Sequence, residues 1–212
     1  MKNLIYILVC LLFAMITHAK EIEKNKGDLM KDMKSQNTEV ATLGGGCFWC
    51  LQPVFERLRG VKRVEVGYSG GQLANPSYEQ VSTGATGHAE VVEITFDPDI
   101  ISYKDLLTVF FSVHDPTTLN RQGHDVGTQY RSIILFHSED QKEEALNTIE
   151  SLDNEGLWKH KIVTEVVPFM AFYKAEDYHQ EYYENNKEAP YCQLIISPKI
   201  EKLYKLFGDK VL

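Results

Sequence analysis

The feature that most constrains this chain is a run of three glycines followed by a cysteine, Gly-Gly-Gly-Cys-Phe-Trp-Cys at residues 44–50. An apolar run precedes it at residues 40–43 and an amphipathic segment follows it, so the pattern predicts a strand, a turn and a helix. Glycines let the backbone bend sharply, and free N–H groups and the positive end of the helix dipole converge near Cys47. We therefore expect a lowered pKa for the Cys47 thiol, which favours the nucleophilic thiolate.

Pro53 limits where this helix begins. Because proline has no N–H to donate, it fits best in the first turn, and the helix is predicted to begin near Trp49 or Cys50. Cys47 then lies just ahead of the helix. In the alternative interpretation Cys47 and Cys50 are small buried hydrophobic residues, which would leave three glycines before a helix start unexplained.

The first 39 residues are predicted to lie outside the folded domain. Residues 1–19 have the pattern of a signal peptide, with Lys2, an apolar run at residues 4–16 and small residues at the two cleavage-site positions. A cleaved signal predicts an exported protein, periplasmic or secreted, and an uncleaved N-terminal anchor is the alternative. Residues 20–39 mix charges of both signs and are predicted to form a flexible tether, whereas residues 40–212 are predicted to form a single catalytic domain.

Charge and cysteine content exclude several classes of function. The net charge of −8 argues against nucleic acid or an anionic membrane as the main partner. Removal of residues 1–19 would leave Cys47, Cys50 and Cys192, and an odd number of cysteines in an exported protein leaves at least one thiol unpaired. A purely structural disulfide framework is therefore not expected.

Short strands and helices follow one another along residues 40–212 without a strict repeat. Strands are predicted at residues 40–43, 61–67, 89–96, 130–136 and 162–167. Helices are predicted after Trp49, at residues 102–113, after Ser138, at residues 175–183 and from Ser197 onward, and the polar stretch 115–129 is predicted to be a long functional loop. Such elements pack helices against one sheet and predict an α+β fold, a two-layer sandwich with a ferredoxin-like core and a mixed sheet.

Glu90 lies at an unusual place in one of these strands. Val92, Ile94 and Phe96 share one face of the strand at residues 89–96, and Glu90 has their parity. It is either a surface residue at a frayed strand end or an acid in a partly dry pocket, where loss of solvation would raise its pKa. Parity alone leaves both interpretations open.

Three chemistries can use these cysteines. A zinc site needs four ligands, and Cys47-x-x-Cys50 supplies half of one, with Cys192 and histidines as the remaining candidates. A C-x-x-C between a strand and a helix is also typical of a thioredoxin-like disulfide oxidoreductase, although the intervening Phe48 and Trp49 place a large apolar surface beside the nucleophile. The third is a thiol that attacks an oxidised sulfur.

Several ungapped motifs make the third chemistry specific. They are GGCFWC at 45–50, NPSYEQV at 75–81, TGHAE at 86–90, DPTTLNRQGHDVGTQYRS at 115–132, AEDYHQEYY at 175–183 and PYC at 190–192. Together, and in this order between about residues 40 and 196, they resemble the A-type peptide-methionine sulfoxide reductases. The resemblance implies thiol-dependent reduction of the S epimer of methionine sulfoxide, free or in proteins, to methionine, and hence repair of oxidative damage.

The same resemblance implies a role for individual residues. Cys47 matches the nucleophile that becomes a sulfenic acid, and Glu90 matches the acid that protonates the sulfoxide oxygen. Phe48 and Trp49 match the walls that hold the substrate methyl group. The polar residues that hydrogen-bond the sulfoxide oxygen, or orient those that do, correspond to Tyr78, Asp125 and Tyr130.

Recycling of the enzyme is implied only in outline. Cys192 matches the resolving cysteine, which forms an intramolecular disulfide that a thioredoxin-like thiol reductant reopens. Many family members have glycine where this chain has Cys50, so Cys50 could resolve the sulfenic acid directly, relay the disulfide or take no part. The resemblance implies no metal and no bound organic cofactor, oxidised proteins or peptides as substrates, and a monomer.

Overall fold

A six-stranded mixed sheet is the framework of residues 37–212, the part of the chain that this computed structural model describes. Its strands are β1 (Glu39–Gly44), β2 (Val61–Ser69), β3 (Ala89–Phe96), β6 (Ile133–Phe136), β7 (Glu165–Pro168) and β8 (Phe172–Lys174). They lie in the order β7-β6-β1-β3-β2-β8, and every neighbouring pair is antiparallel except β6 with β7. Two further strands, β4 (Arg121–Gln122) and β5 (Asp125–Val126), form a separate short hairpin.

The central strand β3 positions the most important acidic residue. It pairs with β1 on one side and β2 on the other, in a register that sets Leu43 and Val66 against Val92, and Tyr68 against Glu90. Both flanking strands are apolar here, so Glu90 is drawn into the sheet and only 2% of its surface is exposed. Residues 38–212 form one compact unit of helices against a mixed sheet, which confirms the predicted α+β fold.

Helices cover the sheet and begin where local capping signals place them. They are α1 (Phe48–Glu56), α2 (Tyr78–Ser82), α3 (Tyr103–Val113), α4 (Glu139–Glu155), α5 (Tyr182–Asn185) and α6 (Ser197–Phe207). Ser102 and Asp105 form a reciprocal capping box at α3, and Ser138 accepts a hydrogen bond from the Gln141 amide at α4. The sequence predicts helix starts at Ser102 and Ser138, and both are confirmed.

The main core lies between the sheet and the helices. Leu51, Val54 and Phe55 of α1 pack with Leu106 and Phe110 of α3 in a cluster whose members are fully buried. A smaller cluster on another part of the sheet contains Ala89, Val91, Ile133 and Leu135, with Val167, Phe169 and Phe172 packed against it. Burial of this apolar area is the main driving force that holds α1 against β2 and β3.

Three predicted elements have different bounds in the structure. The strand expected at residues 130–136 begins only at Ile133, because residues 128–130 form a 3₁₀ turn, and the strand expected at 162–167 is β7 at Glu165–Pro168. The helix expected at residues 175–183 is wrong: a 3₁₀ turn at Asp177–His179 is followed by Glu181, whose φ of 53° ends any right-handed helix.

A π-helical turn connects the PYC motif at residues 190–192 to α6. Residues Cys192–Ile196 form this turn, in which the Ser197 amide bonds back to the Cys192 carbonyl, five residues earlier, and it continues directly into α6. Pro198 occupies the first turn of α6, where its missing N–H is tolerated. Cys192 is fully buried at the start of the π-helical turn.

The predicted signal peptide at residues 1–19 lies outside the described residues, as does the predicted tether except for residues 37–39. Within the described part of the chain, no helix has the length and apolar content needed to cross a membrane.

Gln180 provides a test of how the segment after β8 is held. Its side-chain amide accepts from the Val66 N–H (3.1 Å) and donates to the Val66 carbonyl (3.0 Å) and the Ala175 carbonyl (2.9 Å). Gln180→Ala removes the acceptor of a buried N–H, and we expect the free energy of unfolding to fall by about 1–3 kcal/mol. Urea denaturation measures this value, with the exposed Gln72→Ala as the control. Equal stability of the two variants would contradict the anchoring role.

Candidate active site

The turn from β1 into α1 depends on two glycines. Gly46 has φ of +93°, a conformation that side chains rarely adopt, and a Cβ atom at Gly44 would lie 2.7 Å from the Glu90 carbonyl oxygen. Cys47 follows as the N-cap, in an extended conformation, and α1 begins at Phe48, one residue earlier than the predicted start. Pro53 therefore lies inside the helix rather than in its first turn.

Glu90 joins β3 to the start of α1. Its Oε2 accepts a hydrogen bond of 3.1 Å from the Phe48 N–H, one of the free amides at the helix N-terminus. Burial raises the pKa of Glu90 to about 8, and the charge of Asp125 adds to the rise while the Phe48 amide opposes it. Of the two interpretations left open by the sequence, the structure favours the buried acid, which carries a proton at neutral pH.

The pKa values of the two thiols at this turn shift in opposite directions. Burial raises the pKa of Cys47, with further contributions from the Cys50 thiol and the Glu90 carboxylate, although the Trp49 amide favours the thiolate. The hydrogen bond with Cys47 lowers the pKa of Cys50. The expected lowering at Cys47 is therefore wrong for the resting site, because loss of solvation outweighs the helix N-terminus.

Aromatic rings form a wall beside Cys47. Phe48 is buried, and Trp49 is half-buried and stacks on Tyr182 with 3.7 Å between ring centroids and 8° between planes. The His179 ring packs 5.1 Å from Phe48 and 4.5 Å from Tyr78, measured between centroids. The Trp49 Nε1 and both ring nitrogens of His179 are buried without a hydrogen-bond partner among the described residues, so His179 acts here through packing.

Two tyrosines lie close enough to Glu90 and Cys47 for the charges of both groups to act on their hydroxyls. Tyr78 begins α2, and its amide donates to the Glu176 carboxylate at 2.9 Å, whereas Tyr130 ends the 3₁₀ turn. Burial and the charge of Glu90 raise the pKa of both tyrosines. Both hydroxyls therefore keep their protons and are available as hydrogen-bond donors.

The β4–β5 hairpin places Asp125 next to the cysteines. Gln122 anchors it by accepting from the Asp115 amide at 3.1 Å and donating to the Asp115 carbonyl at 3.0 Å. Asp125 Oδ2 accepts a 2.9 Å hydrogen bond from the Tyr191 hydroxyl, whose oxygen lies 3.6 Å from Cys50 Sγ. Asp125 therefore contacts the thiol side of the site through Tyr191.

A cavity of about 110 Å³ opens on this thiol side, and its lining shows what the sequence reasoning missed. Cys47, Cys50 and Asp125 line it together with Tyr191 and Lys199, neither of which was assigned a role. Tyr191 belongs to the PYC motif, which could have indicated its place in the site. No pattern in the sequence around Lys199 indicates such a role. A larger groove of about 620 Å³ between α3, α4 and α6 contains none of the predicted site residues.

Cys192 follows Tyr191 in the chain and lies close enough to Cys50 for the charge of Cys50 to act on it. Its thiol is free and fully buried, and burial followed by the charge of Cys50 raises its pKa. Cys47 and Cys50 are also free thiols. The structure thus gathers Cys47, Glu90, Phe48, Trp49, Tyr78, Tyr130 and Asp125 at one site, with Cys192 next to it through Cys50. Among residues 37–212, no three His, Cys, Asp or Glu side chains are grouped as metal ligands.

Comparison with known proteins decides the family. The family model described as peptide methionine sulfoxide reductase matches residues 39–211, nearly the whole described chain. The chain belongs to the peptide methionine sulfoxide reductase family. The peptide methionine sulfoxide reductase MsrA of Sulfolobus acidocaldarius is 60% identical over 172 residues, which cover 81% of this chain and 97% of that protein.

Solved structures of methionine sulfoxide reductases share the fold. Mxr1 from Saccharomyces cerevisiae in reduced form has a TM-score of 0.67 and 35% identity, and covers 74% of this chain and 90% of that one. Methionine sulfoxide reductase A of Corynebacterium diphtheriae has a TM-score of 0.65 and 34% identity, over 73% and 77% of the two chains. The chain is thus an A-type peptide methionine sulfoxide reductase, an oxidoreductase that reduces methionine sulfoxide.

Burial of Glu90 predicts a pH-dependent stability. Its pKa is about 8 in the folded reductase and near the ordinary 4.5 in the unfolded chain, so the folded state binds more protons between these values. Stability must then fall as the pH rises from about 4.5 to 8. Glu90→Gln should remove this fall and raise the free energy of unfolding at pH 8 by about 4 kcal/mol. Urea denaturation at pH 5 and pH 8 measures it.

The exposed Glu143→Gln is the matched control for this experiment. It should follow the wild-type stability at both pH values. If Glu90→Gln also followed the wild type, Glu90 would be ionised in the folded protein.

Proposed function

We propose that the reductase acts on the S epimer of methionine sulfoxide, in proteins or free, through a Cys47 sulfenic acid. The observation that carries the proposal is the buried carboxyl of Glu90, which accepts a hydrogen bond from the Phe48 amide at the helix start that follows Cys47. Sulfoxide oxygen is a poor leaving group until it is protonated. A buried acid that keeps its proton near pH 7 meets this requirement.

The first step places one residue on each side of the sulfoxide. The Cys47 sulfur attacks the sulfoxide sulfur and forms a sulfur–sulfur bond, while the thiol proton and the Glu90 proton pass to the sulfoxide oxygen, which leaves as water when the sulfur–oxygen bond breaks. A water molecule then attacks the Cys47 sulfur, the sulfur–sulfur bond breaks and the released proton returns to Glu90. Methionine leaves reduced by two electrons, and Cys47 becomes a sulfenic acid, oxidised by two electrons. The hydrogen bond between the Cys47 and Cys50 thiols holds the nucleophilic sulfur near the start of α1.

Substrate orientation follows from the two unlike sides of the site. The Phe48 and Trp49 rings offer an apolar surface to the methyl group, and the Tyr182 stack holds Trp49 in place. The hydroxyls of Tyr78 and Tyr130 are donors for the sulfoxide oxygen. An apolar wall on one side and fixed donors on the other admit one epimer, since the other would exchange the methyl group and the oxygen. Asp125 orients the thiol side through Tyr191.

Recycling returns the reductase to its three-thiol state. We propose that the oxidation ends in an intramolecular disulfide that includes Cys192, and that a thioredoxin-like dithiol reductant reopens it by thiol–disulfide exchange. Oxidised proteins and peptides are the proposed substrates, and the reductase acts as a monomer. Each step uses only thiols, the Glu90 carboxyl and water.

A single-turnover experiment tests this mechanism. Residues 20–212, reduced and freed of excess thiol, are mixed with each epimer of a blocked methionine sulfoxide, and methionine release is followed by quenched flow. We expect release from the S epimer alone and none from Cys47→Ser. Glu90→Gln should slow release by about 10²–10⁴-fold, the contribution of a general acid. In the wild type the rate should fall above about pH 8 as Glu90 loses its proton.

The control variant is Glu143→Gln, which should keep the wild-type rate and alkaline limb. Release from both epimers at equal rates would contradict the orienting wall. If no methionine formed while Cys47 and Cys50 still exchanged disulfides with a test substrate, the protein would be a general disulfide oxidoreductase.

We also propose that the reductase is exported, on the basis of residues 1–19. Their basic residue, apolar run and small residues at the cleavage positions have the pattern of a secretory signal. Expression of the full chain with a C-terminal tag should give, in the exported fraction, a mature protein whose first residue is Lys20. Mass spectrometry of the purified protein measures this. A full-length protein in the membrane fraction would instead support the N-terminal anchor.

A further inference from the structure

Lys199 is a cation without a carboxylate partner at the edge of the active site. It lies in the first turn of α6, partly buried, and its Nζ donates to the Val113 carbonyl. Among the described residues, no carboxylate oxygen comes within ion-pair distance of this Nζ, although Asp125 faces the same cavity. Burial lowers the pKa of Lys199. A partly buried ammonium group of this kind is stabilised by a nearby anion.

The cavity of about 110 Å³ shows which anion is available. Lys199 lines it together with Cys47, Cys50 and Tyr191. The charges of Cys50, Cys47 and Asp125 favour the ammonium form of Lys199, with Cys50 the strongest of the three. The pKa of Cys50 is lowered first by its hydrogen bond with Cys47, and the charge of Lys199 lowers it further. The interaction is therefore mutual and centres on Cys50.

Tyr191 alone cannot supply this stabilisation. Its hydroxyl has one hydrogen, which it donates to Asp125 Oδ2 at 2.9 Å, while its oxygen lies 3.6 Å from Cys50 Sγ. Because this hydrogen is shared with Asp125, Tyr191 favours the Cys50 thiolate less than the charge of Lys199 does. Lys199 places an ammonium group on the thiol side of the cavity.

We propose that Lys199 is a positioning residue for recycling, which holds Cys50 as a thiolate beside Cys47 and makes Cys50 the first thiol to resolve the Cys47 sulfenic acid. The inference rests on the proposed function and decides among the three roles that the sequence left open for Cys50. Cys50 is three residues from Cys47, on the first turn of α1, and its amide donates to the Cys47 carbonyl at 3.0 Å.

The resolving step is balanced without an outside reactant. The Cys50 thiolate attacks the sulfenic sulfur of Cys47, a sulfur–sulfur bond forms and the sulfur–oxygen bond breaks. The departing hydroxide takes a proton from the Glu90 carboxyl or from solvent and leaves as water. Cys192, whose thiol senses the charge of Cys50, then attacks the Cys50 sulfur, forms a Cys50–Cys192 disulfide and releases Cys47 as a thiolate.

The experiment separates the resolving step from methionine release in one single turnover. The reduced wild type and the variants Lys199→Met, Lys199→Arg, Cys50→Ser and Cys192→Ser are mixed with blocked (S)-methionine sulfoxide without reductant. Samples are quenched in acid, sulfenic acid is trapped with dimedone, and peptide mass spectrometry assigns the disulfides. Lys205→Met, exposed on the same helix, is the matched control. Thermal unfolding of each variant checks that it is folded.

We expect the rate of Cys47–Cys50 disulfide formation at pH 7 to fall about tenfold in Lys199→Met, with the pH profile displaced upward by about one unit. Trapped sulfenic acid should accumulate in that variant, and Lys199→Arg and higher pH should each restore the rate. Cys50→Ser should leave the sulfenic acid unresolved, and Cys192→Ser should stop at the Cys47–Cys50 disulfide. The Lys205→Met control should resolve its sulfenic acid at the wild-type rate.

The pH profile has several contributors, which the variants distinguish. Several titratable groups face Cys50. They are Cys47 at the N-cap of α1, Glu90 on β3, His124 and Asp125 of the β4–β5 hairpin, Tyr191 and Cys192 at the start of the π-helical turn, and Lys199 on α6. Only Lys199→Met should displace the pH profile of disulfide formation upward. Lys199→Arg should keep the wild-type profile.

Three results would overturn the inference while the proposed function stands. They are a first disulfide between Cys47 and Cys192 in the wild type, an unchanged rate and pH profile in folded Lys199→Met, and a wild-type resolving step that appears only above about pH 8.5, the range of an ordinary thiol. The first and third are read from the wild type, so they hold even if Lys199→Met does not fold. Absence of methionine release from the wild type would overturn the proposed function itself.

Discussion

The hydrogen bond from the Phe48 amide to Glu90 joins the centre of the sheet to the first turn of α1, and the geometry of the site depends on it. A carboxyl group with 2% of its surface exposed needs a polar partner, and a helix N-terminus offers unpaired N–H groups. Gly44 lets the two backbones approach closely enough for this contact. One interaction thus satisfies the acid, fixes the start of the helix and sets Cys47 beside Glu90.

Two opposing effects act on the pKa values of Cys47 and Glu90. The helix N-terminus lowers them and burial raises them, and the effect of burial is larger. A helix N-terminus is worth roughly 0.3–1 kcal/mol to a nearby anion, whereas loss of solvation in a closed site shifts a pKa by several units. The charge of Glu90 adds to the raised pKa of Cys47, whereas the hydrogen bond from the Cys47 thiol lowers the pKa of Glu90 without overcoming its burial. Cys47 and Glu90 therefore both rest in their protonated forms.

Local signals in the sequence were reliable, and signals from distant residues were not. The Ser102–Asp105 cap was legible because both partners lie within one turn, and the parity of Glu90 was correct because strand alternation is local. The segment 175–183 has helical composition, yet Gln180 bonds to Val66, more than a hundred residues away, and Glu181 turns left-handed. Lys199 reaches Cys50 only through the packing of α6, which no spacing in the sequence reveals.

The π-helical turn at Cys192–Ile196 has a consequence for how this chain can be aligned and transplanted. A π-helical turn amounts to one residue more than an α-helical turn holds, so it rotates everything upstream by roughly 100° about the axis relative to an uninterrupted helix. Tyr191 and Lys199 therefore lie on the same side of the helix axis only because of this extra residue. A graft or deletion that regularised the helix would keep both side chains in the sequence and separate them in space.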